Sequence, residues 1–189
     1  MRAIVLNGID KEYSNLIFAY DILLQELKKV GWKSDSYFLY EKEIESCKGC
    51  FGCWIKTPGL CVTNDGTELL LKNIINSDIL ILLTNVVFGG YSSQLKKVLD
   101  RLLPLINPFF EMKDKQTIHS MRYRKYPSIA GIGVMTYPNE EGEQIFRELV
   151  KRNSVHLFAP RSGSIILFSG QMVEKNRDKI NYILQLVGT

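Results

Sequence analysis

Residues 79–83 read Ile-Leu-Ile-Leu-Leu, a run with no polar face. A strand that meets water on one side alternates apolar and polar residues. A run apolar on both faces belongs in the interior of a parallel sheet, covered by helices above and below. The chain must therefore supply flanking helices, and its periodicity does. Leu16, Tyr20, Leu23, Leu24 and Leu27 recur at helical spacing after Ser14, a good N-cap residue, and Gly31 follows them in the usual C-terminal position. A short helix is predicted over residues 67–76. Ser92 caps another that carries Leu95, Val98, Leu99 and Leu102, and Pro104 bends or ends it. Ile145, Phe146, Leu149 and Val150 mark a fourth helix, and Ile180, Ile183, Leu184 and Val187 a last one.

Strands are predicted at residues 3–6, 37–40, 79–83, 128–135 and 164–168. Five strands alternating with five helices imply an α/β fold built on a parallel sheet. At 189 residues, 46% of them hydrophobic, the chain makes one domain with a sizeable core. The natural architecture at this length is a flavodoxin-like three-layer α/β/α sandwich, a five-stranded parallel sheet in the order 2-1-3-4-5. The domain spans residues 1–189, with a cysteine-rich loop at 47–61. Between residues 103 and 127 runs a long connection with little periodicity, and connections of that length are usually functional or interfacial.

No stretch approaches the roughly 20 apolar residues that cross a bilayer. The N-terminal apolar run is too short before Asn7-Gly8 for a signal peptide. The expectation is a cytoplasmic protein with no membrane partner. The net charge of +4 is mild and scattered. Its densest basic run, Met121-Arg122-Tyr123-Arg124-Lys125-Tyr126, reads as a solvated loop, with contact to a phosphate-bearing cofactor as the alternative. No nucleic acid is expected as a partner.

The four cysteines of the chain, Cys47, Cys50, Cys53 and Cys61, fall within fifteen residues. A reducing cytosol argues against two disulfides. Thiolates are soft metal ligands, and two-residue gaps let several sulfurs converge on one centre. Three readings remain open: a [4Fe–4S] cluster, a structural loop with free thiols, or zinc. Structural zinc sites usually come as two separated C-x2-C knuckles, which is not the arrangement here.

In an open parallel sheet, ligands bind outside the carboxyl ends of the strands. Three loops lie there. In the first, Gly8, Ile9, Lys11, Ser14 and Asn15 precede a helix, whose free N–H groups and dipole favour an anion. No G-x-G-x-x-G is present, so the Rossmann dinucleotide fingerprint is absent. The second, Asn85, Val86, Val87, Phe88, Gly89 and Gly90, lets the backbone approach a flat ligand and offers an aromatic ring. The third opens at Thr136. No Ser-His-Asp set is readable. Of the two histidines, His156 reads as a packed residue and His119 as a residue of the long connection, with approach to a bound cofactor as the alternative. Binding loops without an acid, base or nucleophile suit chemistry carried by a cofactor.

The cysteine segment Cys47-Lys48-Gly49-Cys50-Phe51-Gly52-Cys53-Trp54, then Pro58-Gly59-Leu60-Cys61 and Asn64-Asp65, is similar to that of the iron–sulfur flavoprotein branch of the flavodoxin-like NAD(P)H-dependent FMN reductases. Thr84 through Gly90, with Tyr91-Ser92-Ser93-Gln94-Leu95-Lys96-Lys97 and Leu99-Asp100-Arg101, resembles the same family's flavin-ring loop and the helix after it. The resemblance implies that backbone groups of residues 9–15, with the side chains of Ser14 and Asn15, hold the FMN phosphate. It implies that residues 85–90 border the isoalloxazine and that NAD(P)H is a transient hydride donor. It also implies a homodimer or homotetramer, and a small-molecule or protein electron acceptor. Where the family usually carries serine, arginine and threonine in the phosphate loop, this chain has Ile9, Lys11 and Leu16, and the expectation is weaker FMN binding. Asn85 replaces a common proline, and Asn64 the first residue of a common Asp-Asp pair.

The function expected is an FMN-dependent NAD(P)H oxidoreductase. The alternative is an iron–sulfur flavoprotein electron carrier with a [4Fe–4S] cluster on the four cysteines, and a third reading is a binding module that has lost FMN.

Overall fold

The computed structural model describes residues 1–113 and 115–188. The main sheet is built from β1 (Arg2–Asn7), β2 (Lys33–Phe38), β3 (Ile79–Asn85), β6 (Ser128–Met135) and β7 (Ser162–Phe168). Its order is β2-β1-β3-β6-β7, with every pairing parallel, which in strand rank is the expected 2-1-3-4-5. All seven residues of β3 are buried. Period-2 alternation divides them between two cores. Ile79, Ile81 and Leu83 join Ala3 and Val5 against helices α1 (Phe18–Lys29) and α6 (Val173–Gly188). Leu80 and Leu82 join Ile4 and Leu6 on the other face, under α3 (Thr67–Ile75), α4 (Ser93–Asp100) and α5 (Glu140–His156). A short helix, α2 (Gly52–Ile55), lies inside the cysteine segment.

Local chemistry explains the helix ends. Asn139 and Ser92 cap α5 and α4, accepting from the N–H of Gly142 at 3.0 Å and of Leu95 at 3.3 Å. At the end of α1, Gly31 takes φ +71°, and the N–H groups of Gly31 and Trp32 return to the carbonyls of Lys28 and Leu27. That pair of bonds is a Schellman closure.

Three expectations are corrected. Ser14 does not cap α1; it lies inside a 3-10 turn, Lys11–Leu16, and α1 opens four residues later. The second strand covers Lys33–Phe38 rather than residues 37–40. It is an edge strand, held by its ladder to β1, so its polar sequence carries no alternating signal. The connection at 103–127 is not irregular. It contains a two-stranded antiparallel hairpin, β4 (Ile106–Lys113) with β5 (Gln116–Met121). Of β4 only Ile106 is buried, and of β5 only Ile118. Backbone bonds rather than a buried face hold this hairpin, which is why periodicity does not reveal it.

Candidate functional site

The three strand-end loops meet at the carboxyl edge of β1, β3 and β6. The Gly8 N–H donates to the Leu83 carbonyl at 2.8 Å, and the Val86 N–H to the Val134 carbonyl at 3.0 Å. The Ser92 hydroxyl donates to the Gly8 carbonyl, and the Ser92 N–H donates to Thr84 Oγ1 at 2.9 Å. Asp10 and Asn85 exchange two hydrogen bonds at 3.2 Å each, N–H to Oδ1 and Nδ2 to Oδ2. The first two loops are thus one unit, tied by Asp10 and Ser92, neither of which sequence pattern singles out as a site residue.

This arrangement reassigns part of the predicted set. Ile9 is a core residue, 2% exposed, and its N–H is already taken by Asn7 Oδ1 at 3.1 Å. Leu16 is buried to the same degree. The two apolar replacements therefore turn away from the surface, where no hydroxyl could serve a ligand. Asn85 is also buried, with its amide spent on Asp10. Lys11 is exposed, its Nζ 5.3 Å from the centroid of the Tyr40 ring. Ser14 and Asn15 lie exposed on the 3-10 turn, whose leading N–H groups precede its first internal bond. Thr136 is exposed just past β6.

Residues 87–90 form a tight turn closed by reciprocal Val87 and Gly90 backbone bonds of 3.1 and 2.8 Å. Phe88 and Gly89 both have positive φ, +48° and +76°, the pattern of a type I′ turn. A Cβ on Gly89 would lie 2.7 Å from the Ile145 Cβ, so the turn rests directly on α5. Phe88 is held at the tip, 100% exposed. For a non-glycine residue that conformation costs about 1–2 kcal/mol, which marks the ring as placed rather than packed.

The site fits a flat, phosphate-bearing cofactor. The leading N–H groups of an exposed turn and an exposed aromatic ring stand on two loops tied together by Asp10 and Asn85. Asn7 Nδ2, buried at the end of β1, has no acceptor among the described residues. The three loops contain neither histidine nor cysteine.

The cysteine segment is a second feature. Cys47 and Cys50 are exposed, Cys61 is half-buried and Cys53 is buried. Burial pushes the Cys53 thiol up, and Cys61, Cys47 and Cys50 add to the shift. Among the described residues, however, no three His, Cys, Asp or Glu side chains are gathered to hold a metal ion. Phe51 stacks on Trp54 at 5.3 Å, Trp54 lies 5.0 Å from His119, and His119 lies 4.4 Å from Phe110. The Trp54 Nε1–H donates to the carbonyls of Leu103 and Ile106, each at 3.1 Å. The loop is thereby fastened to the base of the hairpin.

His156 is exposed rather than packed, at the end of α5 where the helix leaves the core. Both histidines line one largely apolar cavity of about 310 Å³, with Leu102, Ile106 and Asn153. In the basic run, Tyr126 is buried, donating to the Leu105 carbonyl at 2.6 Å, and Lys125 pairs with Asp78 at 2.7 Å. This run leads into the amino end of β6, the edge opposite the strand-end loops.

The fold and the strand-end site define an α/β protein of flavin-binding type. The family model for NADPH-dependent FMN reductases matches residues 1–118, and the chain belongs to that family. Among sequence relatives, an iron–sulfur flavoprotein of Archaeoglobus fulgidus is 32% identical over 104 residues, covering 55% of this chain and 46% of the relative. One from Methanocaldococcus jannaschii is 32% identical over 105 residues, covering 56% and 53%. The chain spans about half the length of the curated relatives it matches. Among solved structures, an NAD(P)H:quinone oxidoreductase from Methanothermobacter marburgensis aligns with TM-score 0.70 at 13% identity, covering 96% of each chain. An FMN-dependent NADH-azoreductase of Bacillus anthracis in complex with FMN aligns at 0.66 and 11% identity, covering 98% and 99%. At these identities the structures speak for the fold. No helix among the described residues is long and apolar enough to cross a membrane.

Proposed function

We propose that this chain is an FMN-dependent NAD(P)H oxidoreductase. The observation that carries the reading is the joined pair of strand-end loops, which leaves the 3-10 turn and Phe88 open to one ligand while tying everything beneath them. Bound FMN would supply hydride acceptance from NAD(P)H and delivery of reducing equivalents to a quinone, a flavin, a nitro or azo compound, or a protein partner. The residues do the rest. Backbone N–H groups at the start of the turn, with Ser14 and Asn15, hold the phosphate. Residues 86–90 border the ring, and Phe88 shields or stacks on one face. No side chain is required as proton donor. The exposed apolar residues of the hairpin, Phe109, Phe110 and Met112, support a homodimer or homotetramer.

A second reading adds a [4Fe–4S] cluster on Cys47, Cys50, Cys53 and Cys61. Four thiols within fifteen residues favour it, as do the names of the sequence relatives. The sulfurs do not surround a metal position as folded, so the reading requires the segment around Cys47 and Cys50 to move.

The test is an absorbance spectrum of protein purified without oxygen, with FMN titration and then NADPH. Flavin bands that bleach on NADPH support the first reading, and a broad shoulder beyond them, with matching iron and sulfide, supports the second. Protein that binds no FMN at micromolar concentration refutes both.

A further inference from the structure

All four cysteines lie within residues 46–62, and both ends of that stretch are fastened to one buried ion pair. Arg101, at the end of α4, has a side chain 1% exposed, and Asp65 one 8% exposed. Arg101 Nη1 donates to Asp65 Oδ2 at 2.8 Å and to the Glu45 carbonyl at 2.9 Å. Its Nη2 donates to Asp65 Oδ1 at 3.0 Å and to the Thr63 carbonyl at 3.4 Å. Asp65 also accepts from the N–H of Glu45 at 3.0 Å and of Thr67 at 3.2 Å, and from the Thr67 hydroxyl. Glu45 stands two residues before Cys47, and Thr63 two after Cys61. The four terminal N–H groups of the guanidinium are thus committed to the carboxylate or to the loop, and only Nε lacks a partner. A planar, always-charged fork makes this set of bonds, and an ammonium cannot reproduce it.

We propose that Arg101 and Asp65 are positioning residues of the cysteine loop. They fix the separation of its two ends without any metal, so that gathering the sulfurs is a movement confined to residues 46–62. For its use this rests on the cluster reading above, while the clasp itself does not. Ahead of the Trp54 anchor the loop interior has freedom to move, because Cys47 and Cys50 are exposed and Gly49, at positive φ, has nothing within 4 Å of where a Cβ would stand. The two fixed ends carry no such freedom.

The test uses the reduced, metal-free full chain. Iodoacetamide alkylation of Cys53, the buried thiol, is followed by peptide mass spectrometry in wild type, Arg101→Lys, Asp65→Asn and the double variant. Opening of the loop ends should speed Cys53 alkylation about tenfold or more in each single variant. The double variant should add little to either single one, as expected for two halves of one interaction. FMN titration reports the integrity of the rest of the fold and should be unchanged. Cys53 rates within twofold of wild type would overturn the proposal, as would acceleration that appears only together with lost FMN binding. Iron and sulfide reconstitution of the same proteins separates the two ideas. Wild type that takes up no iron, with the Cys53 result intact, refutes the cluster and leaves the clasp.

Discussion

At the scale of single residues, the site is shaped by where side chains of similar sequence signal end up. Ile9 and Leu16 replace hydroxyl residues of the family pattern, yet both are core residues here. Ile9→Ser should therefore not tighten FMN binding; it should destabilise the fold by about 2–4 kcal/mol through lost burial and an unpaired hydroxyl, read by denaturant unfolding. Ser14→Ala or Asn15→Ala should instead weaken FMN binding roughly tenfold or more, since a bond to a charged group is worth about 1.5–3 kcal/mol; fluorescence titration measures it. Phe88→Asn should raise the unfolding midpoint, because asparagine tolerates the left-handed conformation at a gain of up to about 1 kcal/mol. If Phe88 borders the flavin, the same change alters flavin fluorescence quenching. Asp65 offers a pH test. Burial works against its charge, but hydrogen bonds from Thr67, Arg101 and the N–H groups of Glu45 and Thr67 hold the carboxyl well below its ordinary 3.8. A depressed folded value contributes stability that is complete above the ordinary range and drains as pH falls below it. Asp65→Asn should cost about 3–5 kcal/mol near neutrality. Its deficit relative to wild type should shrink as pH falls below about 4.

At the scale of elements, the central strands were legible as unbroken apolar runs and the long helices by their apolar stripes at helical spacing. The residues of β3 and β6 and the apolar stripes of α5 and α6 follow directly from those patterns. The hairpin was not legible, because β4 and β5 satisfy one another through the backbone and leave most side chains in water. The start of α1 was misplaced because Ser14 carries a cap's chemistry inside a turn that Asp10, tied to Asn85, has already begun. Trp54 joins the cysteine loop to the hairpin by two hydrogen bonds and an aromatic contact. Trp54→Phe keeps the ring and loses the donor, leaving the Leu103 and Ile106 carbonyls without this partner. It should cost about 1–2 kcal/mol and raise hydrogen exchange across residues 103–121 without changing FMN affinity.

At the scale of the whole molecule, the hairpin sets Phe109, Phe110 and Met112 in the open, 71%, 66% and 69% exposed. Sedimentation at micromolar concentration should show a dimer or tetramer, and Phe110→Asp with Met112→Lys should shift it toward monomer. The sequence by itself determined the sheet and its order, the loops at its carboxyl edge and the gathering of four thiols in one segment. Each of those follows from periodicity, chain order or short spacing, which are local properties. Tertiary structure alone decided that Ile9 and Asn85 face inward, that Asp10 and Ser92 bind two loops into one, and that Arg101 reaches back 36 residues to Asp65. Those outcomes depend on which groups distant strands and helices bring within hydrogen-bonding range, and no local pattern encodes that distance.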